Sequence, residues 1–385
     1  MPNSRVIVRS AVNWSLALIL SFSSWIVPKK NNLILLTSGY RGRFKGNPKY
    51  FFLYILEKNC DTYWLTLEKN TYNRLKSRGY PVVYRNSLKG FLITLRAKFI
   101  VIDDNSKIIT YSQTLSLFRK LNIIELWHGI PMKNIEMPSN RLLRWASRKN
   151  NRSYKMIVGS SEFTRVILEE RFENKNVKIT GLPRNDIFFD KTLSIKKYEE
   201  EYNLSECNEV LLYAPTWRDE NTEISPFSRE FLEKLNGYLK QNDKLLLIKA
   251  HPRTDNIDVE QFSNIKDLST EVDDIQELLI HTDILITDYS SVFLDFILTD
   301  RPVIFYPYDY EYYNSNCREL LHDYYDDFMR PFPETEKELL ETIKNIDGIS
   351  QKESYKQKYA EVKEKFHDQT KGSYSENVYS KLQEL

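Results

Sequence analysis

The sequence predicts an α/β protein built from two parallel-sheet domains. Three observations carry the prediction. Short apolar runs alternate with segments of helical apolar spacing along most of the chain, the grammar of strands covered by helices on both faces. A polar stretch poor in long apolar runs, residues 190–208, breaks that alternation once. At 385 residues the chain is long for one domain and suits two.

Each element follows from local signals. NLILLTSG, 32–39, is an apolar run ending in Thr, Ser and Gly, a buried strand entering a loop. NPKYFFLYILEKN, 47–59, reads as a helix with Asn47 near its N-cap and Pro48 in its first turn. DTYWLTL, 61–67, and PVVYRN, 81–86, are strands; SLKGFLITLRAK, 87–98, is a helix and FIVIDD, 99–104, a strand. LNIIELWHGIPMKN, 121–134, is an apolar run stopped by His128, Gly129 and a proline, which places His128 at a strand end. KMIVG, 155–159, is a strand, followed by capping serines and the helix EFTRVILEERF. Beyond the polar stretch the grammar repeats. EVLLYAPTW, 209–217, is strand then loop, SREFLEKLNGYL, 228–239, a helix, and KLLLIKAHP, 244–252, a strand ending near His251. DDIQELLIHTDILITD, 273–288, holds a helix and a strand. SVFLDFILTD, 291–300, is a helix, PVIFYPYD, 302–309, a strand, and 352–368 a charged helix. The expected division is 1–30 apolar helix, 31–192 first α/β domain, 205–350 second α/β domain, and 351–385 helical segment.

A formal net charge of +2 argues against a dedicated nucleic-acid binder. The three cysteines, Cys60, Cys207 and Cys317, form no zinc or C-x-x-C pattern and fit a reducing compartment. No cluster calls for a fixed metal site. Residues 6–27 are the most apolar stretch, with Trp14 and Trp25 suited to an interface and cations on both flanks. About 17 residues without a charge are short for a span. A shallowly inserted monotopic helix leads the readings, followed by a core helix of the first domain, a transmembrane anchor and a cleaved signal.

Polar chemistry at the ends of α/β strands marks ligand sites. Alone, WHG is equally well a packed histidine. The set is more specific: GNPKY at 46–50, WHGIPMK at 127–133, GSSEF at 159–163, GLPRND at 181–186, YAPTWRD at 213–219, KAHP at 249–252 and TDYSSVFLDF at 287–296. Together, and in this order, they resemble the CDP-glycerol glycerophosphotransferase family of teichoic-acid primases and polymerases, over roughly residues 30 to 345.

The resemblance implies a GT-B-like architecture of two Rossmann-like domains facing an interdomain cleft. It also implies a reaction. A hydroxyl of a lipid-linked saccharide or polyol-phosphate acceptor attacks the β-phosphorus of CDP-glycerol, glycerol phosphate moves and CMP leaves. The chain would be a peripheral or monotopic enzyme at the cytoplasmic face of the cell membrane. CDP-glycerol is then a co-substrate, no cofactor is tightly bound, and Mg²⁺ dependence stays open. Two alternatives are ribitol-phosphate transfer from CDP-ribitol and a sugar-nucleotide glycosyltransferase on the same fold. A non-catalytic membrane-associated scaffold would make the motif histidines relics.

The implied roles fit the residue chemistry. His128 is the expected general base, because imidazole titrates near neutrality, and Gly129 allows close approach of substrate. His251, the second expected catalytic residue, would bind donor phosphate or protonate CMP, with Lys249 beside it. Ser290 and Ser291, after Thr287, open a helix whose N–H groups suit a pyrophosphate; plain N-capping is the alternative. Asp295 would hold ribose hydroxyls or simply face solvent. Asp288, an anion in a phosphate site, is expected to orient a loop or a histidine. Arg184 and Arg218 would fork onto phosphate oxygens or brace the cleft, with Asp186 and Asp219 as bracing partners. Asn47, Lys49 and Lys133 are expected on the acceptor side; the alternatives are a helix cap and solvated lysines.

Overall fold

The computed structural model describes residues 4–39, 41–58, 60–104, 109, 120–133, 139–193, 196–218, 226–250, 257–317 and 320–385, with the backbone alone at 4–14, 191 and 196–198. His251, Arg253 and Asp219 lie outside the described residues. The chain forms two compact units. Unit 1 comprises 1–128, 135–186 and 372–385, and unit 2 comprises 129–134 and 187–371.

Unit 1 is a seven-stranded sheet. Its strands are β1 (Lys30–Leu36), β2 (Asp61–Thr66), β3 (Val82–Tyr84), β4 (Ala97–Ile102), β5 (Ile123–Glu125), β6 (Met156–Gly159) and β7 (Val177–Ile179). They run in the order β3-β2-β1-β4-β5-β6-β7, and every pairing is parallel. The inner stretches, such as 33–36 of β1 and 99–102 of β4, are apolar and buried at consecutive positions, as in a parallel sheet covered on both faces. Leu33 and Leu35 on β1 join Ile100 and Ile102 on β4 in one core, which Ala17 and Leu20 of the helix Ser4–Ile26 complete. That helix is therefore part of the first domain on one face. Its other face exposes Leu18, Ile19, Phe22, Trp25 and Ile26. Among the described residues no helix is long and apolar enough to cross a membrane.

The helix Tyr374–Gln383 also belongs to unit 1, packed on the helix Gly46–Leu56. GLPRND secures it. Asp186 accepts from the backbone N–H groups of Tyr374 (2.7 Å) and Ser375 (2.9 Å). Gly181, at φ +72°, lies so close that a Cβ would stand 2.1 Å from the Tyr374 ring.

Unit 2 repeats the plan with β8 (Glu209–Ala214), β9 (Lys244–Ile248), β10 (Ile265–Asp267), β11 (Ile284–Thr287) and β12 (Val303–Phe305). The order is β10-β9-β8-β11-β12, again parallel. The helices Arg229–Gln241 and Glu336–Ser350 cover one face through Phe231, Leu235, Leu339 and Ile343. Both sheets reverse direction of growth once, between β1 and β4 and between β8 and β11. Those switch points leave crevices at the carboxyl ends of the strands, where open α/β sheets bind ligands.

Candidate active site

His128 lies two residues beyond Leu126, just past the carboxyl end of β5. The backbone before it is unusual: Trp127 has φ +56°, a left-handed conformation rare for a bulky residue. Polar groups of Asn47, Arg184 and Glu125 hold this turn. The Asn47 amide donates to the carbonyls of Leu126 (3.2 Å) and Trp127 (2.7 Å), and its oxygen accepts the Arg184 N–H (3.1 Å). The Arg184 guanidinium donates to the His128 carbonyl (2.6 Å). The Trp127 N–H donates to Glu125 Oε1 (2.9 Å). The Trp127 ring meets Phe172 edge-on.

The imidazole lies 3.1 Å, through Nδ1, from the Asp103 carbonyl. A carbonyl can only accept, so Nδ1 carries the proton and Nε2 keeps its lone pair. His128 is exposed as a residue, yet protein crowds its imidazole. That crowding lowers the His128 pKa below its ordinary value. The Asp104 carboxylate and the Asp103 carbonyl push it back up, and Arg184 and Lys45 push it down. Asp103 sits at the switch point. It accepts from Ser38 Oγ (2.7 Å) and the Gly39 N–H (2.8 Å), yet burial pushes its pKa up to about 7.

Several expectations for this unit change. Asn47 does not cap its helix; Lys45 holds the N-cap position, and the Asn47 amide is spent on the His128 turn. Lys49 is buried, with Nζ 3.3 Å from the Tyr50 hydroxyl, and is not an exposed charge. Asp186 braces the last helix.

The second cluster sits at the carboxyl edge of unit 2. Arg218, after β8, is buried between two carboxylates. Its Nε and Nη2 each donate to Asp309 at 2.8 Å, and Nη1 lies 2.9 Å from Asp288. Burial lowers the Arg218 pKa, but Asp288 and Asp309 outweigh it and hold the group well above its ordinary value. Asp288 also accepts the N–H groups of Thr216 (2.7 Å) and Tyr289 (2.6 Å). Tyr289 donates to Asp309 (3.1 Å) and Tyr324 to the Asp288 carbonyl (3.1 Å). The expected phosphate fork of Arg218 is thus replaced by bracing, because both edges of its guanidinium are taken.

Thr287 ties β11 to β8 by donating to the Ala214 carbonyl (2.7 Å), so its hydroxyl is committed to the sheet. Ser290 and Ser291 are half-buried at the start of the short helix Val292–Phe296; Ser291 holds the N-cap position without a side-chain cap bond, and Ser290 Oγ accepts the Val292 N–H (3.4 Å). Asp295 is buried inside that helix, which excludes a solvent-facing role. Lys249 Nζ donates to the Ser269 carbonyl (2.8 Å), and Ser269 Oγ accepts the Ala250 N–H (2.9 Å), so Ser269 holds the strand end leading to His251. Lys133 pairs in an antiparallel bridge with Leu320 and its ammonium lies 5.1 Å from the Tyr313 ring centroid. Gly129 is buried directly after His128. Glu125 and Asp309 had no assigned role in the sequence; the only signal for Glu125 was a carboxylate inside an apolar strand run.

Two parallel sheets with polar groups gathered at their switch points define a ligand-binding α/β protein. The family follows from comparison. The chain matches, over residues 19–384, the family described as CDP-Glycerol:Poly(glycerophosphate) glycerophosphotransferase, and it belongs to that family. It is a CDP-glycerol glycerophosphotransferase, as the motifs implied. A teichoic acid poly(glycerol phosphate) polymerase of Bacillus spizizenii is 28% identical over 93% of this chain and 93% of its own length. A teichoic acid glycerol-phosphate transferase of Staphylococcus aureus is 29% identical over 83% of this chain and 85% of its own. The solved wall teichoic acid polymerase TagF shares the fold at TM-score 0.78 and 22% identity, over 97% of this chain and 92% of that one.

Proposed function

We propose that His128 is the general base in transfer of glycerol phosphate from CDP-glycerol to a hydroxyl of a lipid-linked acceptor in teichoic-acid or related polymer synthesis. The observation that carries this reading is the single tautomer set by the Asp103 carbonyl, which leaves Nε2 able to accept a proton. The acceptor hydroxyl gives its proton to Nε2 as its oxygen bonds to the β-phosphorus. The bond from that phosphorus to the bridging oxygen breaks, and CMP leaves with the electron pair. The lowered pKa of His128 keeps the imidazole unprotonated at neutral pH.

On the donor side, Ser290, Ser291, Lys249 and His251 would receive the pyrophosphate; Arg218, Asp288 and Asp309 hold the loop that presents the serines, and Ser269 holds the strand end that leads to His251. Arg184 and Asn47 position His128 rather than touch the donor. The acceptor is lipid-linked in this reading because unit 1 offers apolar side chains to an interface. Phe22 and Trp25 are exposed on the helix Ser4–Ile26, and Leu142, Leu143 and Trp145 are exposed on the arginine-rich helix Arg141–Arg152. A nucleotide-linked donor puts that surface on the cytoplasmic face.

The test is turnover of CDP-glycerol with a defined lipid-linked acceptor, read as CMP release and product mass. His128→Ala should lower kcat by about 10²–10⁴-fold with the fold retained. Full activity in folded mutant protein would reject the assignment, and turnover of UDP-sugars alone would reject the reaction.

A further inference from the structure

Glu125 is the last residue of β5 and its side chain is completely buried. Oε1 accepts the Trp127 N–H, while Oε2 has no hydrogen-bond partner among the described residues. A carboxyl so placed is costly, and an apolar residue would suit the sheet better. Burial, and then the Asp103 charge, push its pKa well above the ordinary value. What it offers is an acceptor at one point, the N–H of a residue in a left-handed conformation that a tryptophan does not adopt without support. The other ties to this turn fall elsewhere: Ile102 takes the Leu126 N–H, Asn47 holds the Leu126 and Trp127 carbonyls, Arg184 the His128 carbonyl, and Asp103 lies on Nδ1. Glu125 alone among them takes the Trp127 N–H.

We propose that Glu125 is a positioning residue: by holding the Trp127 N–H it fixes the left-handed turn that aims Nε2 of His128 at the acceptor hydroxyl. The inference rests on the base role given to His128. It assigns Glu125 no proton transfer and no contact with substrate. What the turn needs is an acceptor oxygen at the right reach, not a charge.

Three variants of the full chain separate these requirements, assayed with CDP-glycerol and the lipid-linked acceptor beside His128→Ala. Glu125→Gln keeps a neutral acceptor at the same reach and should retain kcat within about twofold. Glu125→Leu removes the acceptor and should lower kcat by about 10²-fold, the scale of a roughly 1 Å misplacement, with KM for CDP-glycerol nearly unchanged. Glu125→Asp keeps the carboxyl but shortens the arm, and should fall between them. Circular dichroism and calorimetric binding of CDP-glycerol establish folding; should the leucine variant not fold, the aspartate and glutamine variants decide. Wild-type kcat in Glu125→Leu or Glu125→Asp would overturn the proposal. So would loss of activity in Glu125→Gln, which would mean that charge is needed. Activity in His128→Ala would instead overturn the base assignment, a separate result.

Discussion

At His128 the choice of partner matters as much as the histidine. A carbonyl fixes the tautomer without bringing a full negative charge beside the ring, so crowding by protein can pull the pKa down. The charge that opposes this is Asp104, which is exposed. The acid limb of the kcat/KM profile should therefore lie below 6.5, the ordinary value for imidazole. Asp104→Asn removes a group that raises the His128 pKa, so the limb should move lower still; the same change lowers the pKa of Asp103, which Asp104 also raises. A pH–rate profile of the two proteins checks this, and an upward shift would contradict it. At this scale the sequence was readable where chemistry is local. His128 follows from the stop after an apolar run. Asn47 does not, because its partners, Leu126 and Trp127, come from a strand end far along the chain and only the sheet brings them together.

Between elements, the Arg218 cluster shows how two loops are held at once. Asp288 follows β11, Asp309 follows β12, and Arg218 follows β8, so one guanidinium joins three strand ends. Arg218→Ala would leave two buried carboxylates without their cation and should destabilise unit 2 by about 3–5 kcal/mol. Arg218→Lys keeps the charge but not the fork, and should recover only part of that. Urea unfolding followed by tryptophan fluorescence measures both; equal stability of wild type and Arg218→Ala would contradict the bracing role. The sequence marked Arg218 but not its partner, since Asp309 is 91 residues away. Long apolar strands such as β1, β4, β8 and β9 were legible from their runs. β7 and β10 were not, because a lysine interrupts each, Val-Lys-Ile and Ile-Lys-Asp, so no apolar run marks them and pairing alone makes them strands.

Across the whole molecule, the two-sheet plan could be read from the alternation of runs, whereas the true division could not, since unit 1 draws on three separated stretches. In the helix Ser4–Ile26, Ala17 and Leu20 enter the core while Phe22 and Trp25 stay exposed. Replacing both exposed aromatics, Phe22→Ser with Trp25→Ser, should weaken flotation with anionic vesicles and use of the lipid-linked acceptor, and leave CDP-glycerol binding intact. Unchanged flotation would exclude this face as the main membrane contact. The C-terminal helix has a different kind of consequence. Asp186 and Gly181 are translated well before Tyr374 and Ser375, which complete them, and nearly all of unit 2 is made in between. During synthesis the first sheet must therefore wait, with a carboxylate unanswered and a surface uncovered, until the ribosome has passed through the second. Completion of the first-encoded half is thus tied to residues encoded after the second, against the usual N-to-C order.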